Sequence, residues 1–173
     1  MSQYKDPLRV LIFMGLILSS FTVFARGVYQ TDQDFLTEVF NNSVPKSKVV
    51  WMKADLASTV AELLGHKYAG LRIRYWRNEQ RSAWILEEIG KEKPITFGIV
   101  VAEGKIENIK VLAFRESRGG EIRHPAFTQQ FKLVQLDDMQ LDRNIDGVSG
   151  ATLSVRAMTV VARLALYLDK FTG

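Results

Sequence analysis

The stretch Ile95–Phe114, ITFGIVVAEGKIENIKVLAF, decides the fold. Ile95 to Val101 is an apolar run of strand length, and Lys105 to Phe114 returns with Ile109, Val111 and Ala113 on one face. Between them Glu103-Gly104 suits a two-residue hairpin turn. Upstream, Gly70 to Trp76 alternates like a strand, Arg77 to Arg81 reads as a turn, and Ser82 to Ile89 reads as the returning strand. Gly90 to Pro94 breaks it before the next strand begins. The expectation is an antiparallel meander of about four strands.

Helices flank the meander. Thr31-Asp32 can cap a short helix whose Phe35, Leu36, Val39 and Phe40 share one face. Asn41 to Lys48 is a turn-rich link containing Pro45. A second helix is expected from about Lys53 to Leu64, with Leu56, Val60, Leu63 and Leu64 at helical spacing and Gly65 at the left-handed C-cap position. Beyond the meander, Phe114 to Gln130 is irregular, and Leu136 to Asp146 is polar. From Thr152 to Lys170 a long helix places Val155, Met158, Val161, Leu164, Ala165 and Leu168 on one stripe, with Arg156, Arg163 and Asp169 off it. Helices and strands are segregated, so the fold class is α+β: an antiparallel β-meander packed with helices and closed by a long C-terminal helix.

Composition narrows the chemistry. Cysteine is absent, which removes disulfides, iron–sulfur ligation, thiolate zinc sites and c-type haem attachment. With only two histidines, His66 and His124, a histidine-rich metal site is not expected either. A redox centre, if the protein has one, is therefore organic. The net charge of +4 is spread along the chain, and no basic helix with interleaved aromatics suggests a nucleic-acid partner.

Residues 1–25 read as an export signal. Lys5 and Arg9 precede an apolar run from Val10 to Phe24, and Val23-Phe24-Ala25 suits cleavage after Ala25. The run is about 15 residues, short of the ~20 that a spanning helix prefers. The other reading is an uncleaved N-terminal membrane anchor. Either way the remainder is expected in the periplasm or another extracytoplasmic space.

The string with the most chemical content is Asp146-Gly147-Val148-Ser149-Gly150-Ala151-Thr152-Leu153-Ser154. Two glycines permit tight or left-handed backbone, and small side chains leave the amides open. The string ends where the long helix begins, and the unpaired amides and positive dipole end there favour an anion. Thr152 and Ser154 add hydroxyls. The same string also reads as a glycine turn with a hydroxyl cap. It is not a phosphate-binding P-loop, because no Gly-Lys-Ser/Thr ending follows.

Asp-Gly-x-Ser-Gly-Ala-Thr resembles the flavinylation motif of the FMN-binding domain family, which includes flavoprotein subunits of the sodium-pumping NADH:quinone oxidoreductase and of the Rnf complex. The resemblance implies that a separate flavin transferase moves FMN from FAD onto Thr152. It also implies that Asp146, Gly147, Ser149, Gly150, Ala151 and Ser154 flank the attached cofactor. Gly104-Lys105-Ile106 to Leu112, followed by Arg115-Glu116-Ser117-Arg118-Gly119-Gly120-Glu121-Ile122, resembles the family's strand and Glu- and Gly-rich loop. By that resemblance Glu116, Arg118 and Gly119 lie near the flavin ring. The loop departs from the pump subunits, which have Glu-Thr-Pro-Gly-Leu-Gly where this chain has Glu-Ser-Arg-Gly-Gly-Glu. Phe127-Thr128-Gln129-Gln130-Phe131 resembles the family's aromatic-x-x-Gln-Phe segment. The likeness spans roughly residues 95–170. It divides the mature chain into N-terminal helices and first strands, residues 26–94, and an FMN-binding core, residues 95–173.

Other side chains are open to two readings. Trp51, Trp76 and Trp84 either stack on the cofactor or pack in the protein. Glu116 and Arg118 either meet the ring or form a loop ion pair. His124 is a proton relay or a surface turn residue, and His66 is a cation beside a helix C-terminus. Asp137, Asp138 and Asp142 form a cation site or a solvated loop, and no metal is expected. The implied function is an exported electron carrier rather than an enzyme, exchanging electrons with donor and acceptor proteins, free or in a membrane complex. The alternatives are an extracytoplasmic flavin-dependent reductase acting on a small substrate, or a module that binds FMN without a covalent bond.

Overall fold

The computed structural model describes residues 27–173. The leader and cleavage site read in residues 1–25 lie outside the described residues. Helix α1 (Asp32–Val39) comes first, followed by strand β1 (Lys48–Trp51) and helix α2 (Ala54–Leu64). The meander is β2 (Arg72–Arg77), β3 (Ser82–Ile89), β4 (Pro94–Ala102) and β5 (Lys105–Phe114). Short 3₁₀ turns flank the one-turn helix α3 (Pro125–Thr128), then come strands β6 (Leu136–Asp137) and β7 (Gln140–Leu141) and helix α4 (Thr152–Thr172). Among the described residues no helix is long and apolar enough to cross a membrane.

The α+β reading holds, with one strand more than expected. The sheet has five antiparallel strands in the order β1-β2-β3-β4-β5. The strand that sequence missed is β1. It follows Pro45 and the turn-rich link and is only four residues long, with Val50 alone buried, so periodicity had almost nothing to register. A second correction concerns the polar stretch Leu136 to Asp146. It contains the hairpin β6–β7, turned at Asp138 and Met139, both at positive φ. Elsewhere local chemistry was decisive. Thr31 Oγ1 accepts the amide of Asp34 and caps α1, Gly65 ends α2 at φ 75°, and Glu103-Gly104 turns β4 into β5 at φ 52° and 72°.

The sheet separates two cores. On one face α2 and α4 cover Tyr75, Trp84, Leu86, Phe97, Ile99 and Ile109. On the other, α1 sets Phe35 and Leu36 over Ala83, Val100 and Leu112. Phe35 packs so closely that a methyl group built on Gly98 would lie 2.7 Å from its ring. The free edge of β5 is partly covered by residues 27–30, with Val28 bridging to Ala113 and the Tyr29 amide donating to the Leu112 carbonyl.

Helix α4 is buried on more than the expected stripe, because Val160, Ala162 and Leu166 are also buried. Two of the residues read as off-stripe tie α4 to its neighbours. Asp169 accepts hydrogen bonds from Arg77 of β2 and Ser82 of β3. Arg163 donates to the Leu63 carbonyl at the end of α2 and to Gln140 of β7.

Candidate functional site

The segment 145–154 alternates between anchored and exposed positions. Ile145 and Val148 pack against the main core and Ala151 is 2 % exposed, whereas Asp146, Gly147, Ser149, Gly150 and Thr152 face solvent. Gly150 takes φ 80°, and the Ala151 amide then donates to the Val148 carbonyl, closing a turn onto α4. Thr152 is the first residue of α4 and is exposed.

The start of α4 lacks the usual complement to its dipole. No side chain caps it, and its first turn contains no acidic residue. A 21-residue helix therefore presents open amides and a positive end around an exposed hydroxyl. Space is available too, because a methyl group built on Gly147 or Gly150 would meet no atom within 4 Å.

Two flanking segments hold this turn. Gln130, between the buried and edge-to-face rings of Phe127 and Phe131 (centroids 5.8 Å apart), accepts the Asp146 amide at 2.8 Å. Sequence quoted the aromatic segment without its contact; Gln129 and Gln130 both lie between the two core aromatics, and nothing local marks which of them reaches Asp146. On the other side Gly119, at φ 89°, sits on the first turn of α4. A methyl group there would lie 2.5 Å from Ser154 Oγ and 3.5 Å from Ala151 Cα. The structure thus brings Gly119, Ala151 and buried Ser154 together, and seats Asp146 on Gln130.

Glu116 and Arg118 diverge. One oxygen of Glu116 accepts the amides of Lys91, Glu92 and Lys93 at 2.6, 2.6 and 2.8 Å, closing the β3–β4 turn. Those amides, that of Lys93 foremost, hold its carboxyl below the usual carboxylate range. Arg118 is exposed and makes no ion pair among the described residues, so the two do not form a loop pair.

The remaining candidates sort as follows. Trp84 is fully buried, stacked on Tyr75 at 4.7 Å with its indole N–H on Ser82, so the reading that it stacks on a cofactor is corrected. Trp76 packs in the α1 core. Trp51 is 56 % exposed at the sheet edge, with Arg72 over its ring. His66 bonds to Glu88 on β3 and to the Lys67 carbonyl, which together raise its pKa. His124 is exposed ahead of Pro125. Asp137 and Asp138 are exposed on the β6–β7 turn, and Asp142 accepts the Gln135 amide. The described residues contain no cluster fit for a metal ion.

The exposed face of α4 carries a feature that sequence did not connect to Thr152. At offsets of four, seven and eleven residues, Arg156, Thr159 and Arg163 share its stripe. Arg156 reaches the end of α2, where a methyl group on Gly65 would lie 3.5 Å from its guanidinium. Arg163 is partly buried, and burial lowers its pKa. Thr159 and Arg163, with Gln140, Leu141, Arg143, Asn144 and Ile145, line an open cavity of about 330 Å³. A larger cavity of about 880 Å³ lies between α1 and the His66–Gly70 loop and includes no residue of the 145–154 segment.

Residues 90–167 match the family model of the FMN-binding domain, and FMN is the cofactor that this match indicates. No curated protein matches the chain. The matched span begins in the β3–β4 turn and ends within α4, yet β4 and β5 share one continuous sheet with β1, β2 and β3, which lie before it. The residues present fit FMN's phosphate: uncapped helix amides, an exposed hydroxyl and two glycines with open space beside them.

Proposed function

We propose, from the premise that residues 90–167 are an FMN-binding domain, that this protein is an exported electron carrier holding FMN by a phosphoester to Thr152. The observation that supports this reading is the uncapped start of α4 with Thr152 exposed as its first residue. An anion on the Thr152 oxygen would lie against the helix amides and dipole, replacing the cap that no side chain supplies.

FMN supplies reversible uptake of one or two electrons when bound. The protein's own part is positional. Gly147 and Gly150 leave the phosphate room, while Gln130 and Gly119 brace the turn from either side. In attachment the Thr152 oxygen would take the FMN phosphoryl group from FAD, breaking the FAD pyrophosphate bond and releasing AMP as the hydroxyl proton is lost, with a flavin transferase as the maturation partner. A covalent link suits a protein outside the cytoplasm, where cofactor lost by diffusion is not replaced. Electrons would pass between donor and acceptor proteins that dock near Thr152.

Intact mass of unfolded protein, made with and without a flavin transferase, tests the reading. The expected result is a flavin phosphate increment that survives unfolding and is abolished in Thr152→Ala. An increment retained by that variant would move the attachment elsewhere. Turnover of small substrates by the purified flavoprotein alone would show an enzyme rather than a carrier.

A further inference from the structure

Positive charge that is spread along the sequence is gathered by the pairing of β1 with β2. Residues 44–53 and 67–76 contain Lys46, Lys48, Lys53, Lys67, Arg72 and Arg74 and no Asp or Glu. All six cations are exposed, and none forms an ion pair among the described residues. In the antiparallel register Val49 stands opposite Arg74 and Trp51 opposite Arg72, so these four side chains share one face of the ribbon. Val50, Ile73 and Tyr75 take the other face, in the main core. Along β2 the row of Arg72 and Arg74 continues to Trp76, which packs in the α1 core, so the row lies on the α1 side of the sheet.

Apolar surface is exposed in the same place. Trp51 is 56 % exposed and Leu71 is 80 % exposed. The Leu71 carbonyl accepts the Met52 amide at 3.0 Å, which holds Leu71 next to the end of β1. The Arg72 guanidinium lies 5.7 Å from the centre of the Trp51 ring. Protection of the sheet edge explains only part of this. β1 is the outer strand, and a lysine there discourages pairing with another chain. That asks for Lys48, not for two arginines on β2 or for an exposed tryptophan opposite them. Lysine is depleted at protein–protein interfaces, and four of these cations are lysines. Tryptophan bordered by lysine and arginine is instead the composition of surfaces that rest among lipid headgroups.

We infer that the β1–β2 face docks on an anionic lipid bilayer, with Trp51 and Leu71 entering the headgroup layer and the surrounding cations against its phosphates. The face lies across the sheet from α4, so docking leaves the start of that helix uncovered. The inference stands independently of the attachment at Thr152, because it uses none of the residues there.

Full-chain protein recovered after export tests this with vesicles of phosphatidylcholine alone or mixed with phosphatidylglycerol. Trp84 is fully buried and Trp76 partly so, which leaves Trp51 as the accessible indole. Quenching of tryptophan fluorescence by lipids brominated on their acyl chains therefore reports contact of this face with the bilayer. Strong quenching is expected with the anionic vesicles and little with the neutral ones, and it should fall as salt rises. A cation beside an anionic bilayer strengthens binding about fivefold, so Arg72→Gln with Arg74→Gln should raise the half-saturating lipid about 25-fold. Trp51→Phe should abolish the quenching while the protein still sediments with anionic vesicles. Should the β2 variant fail to fold, Lys46→Gln with Lys53→Gln decides, because both residues lie outside the strands and Lys53 makes no capping bond to α2. Equal quenching with neutral and anionic vesicles, or quenching unmoved by the paired substitutions, overturns the proposal. Absence of quenching with anionic vesicles overturns it too, and would leave the face to an acidic protein partner.

Discussion

Glu116, singled out for a cofactor, organises the backbone of a neighbouring turn. Its carboxylate gathers three consecutive amides of the β3–β4 turn, and the loop that follows then carries Gly119 onto the first turn of α4. Because its folded pKa lies below the ordinary 4.5, it contributes stability above that pH, and the contribution is lost as pH falls from 4.5 through the folded value. Glu116→Gln keeps an acceptor but no charge, so its melting temperature should fall less steeply than wild type below about pH 4.5. Equal acid slopes in thermal melts of the two proteins would rule this out. Sequence singled out Glu116 by resemblance, but the turn it closes lies more than twenty residues earlier, and no local pattern encodes that pairing.

At the level of elements, the last turn of α4 is fastened to the sheet through Asp169. It accepts from Arg77 and from Ser82, and Ser82 in turn accepts the Trp84 indole N–H. Removing the carboxylate in Asp169→Ala strands a partly buried guanidinium and weakens a chain that ends on the central core tryptophan. The expected loss is about 2 kcal/mol in urea unfolding; a change within a few tenths would mean that solvent replaces the carboxylate fully. Elements with strong local chemistry were legible in advance: α1 with Thr31 as cap, α2 with Gly65 at its end, the β4–β5 hairpin and the start of α4. Strand β1 and the β6–β7 hairpin were not. They are too short for periodicity and take their form from strands and helices remote in sequence. The candidate site divides the same way. Asp146 to Ser154 could be read as a motif, whereas its braces, Gln130 and Gly119, became specific only once the loops were placed.

Across the whole molecule the two sheet faces are unequal. One carries α2, α4 and most of the large buried side chains, and the other carries the eight-residue α1. Local stability should follow that division. Amide hydrogen exchange is expected to open α1 well before α4 and the central strands β3 and β4, and Phe35→Ala should accelerate exchange in α1 by more than in α4, at a global cost of about 3 kcal/mol. Uniform protection across both faces would refute this division.

The exposure of Thr152 at a helix start has a consequence for affinity itself. With the cofactor tethered there as proposed, its ring meets its resting place at an effective concentration set by a short linker, in the millimolar range. Contacts too weak to capture free flavin from solution then suffice to hold the ring. A shallow, solvent-open resting place would therefore be compatible with full occupancy, and the same openness would leave the ring within reach of a redox partner.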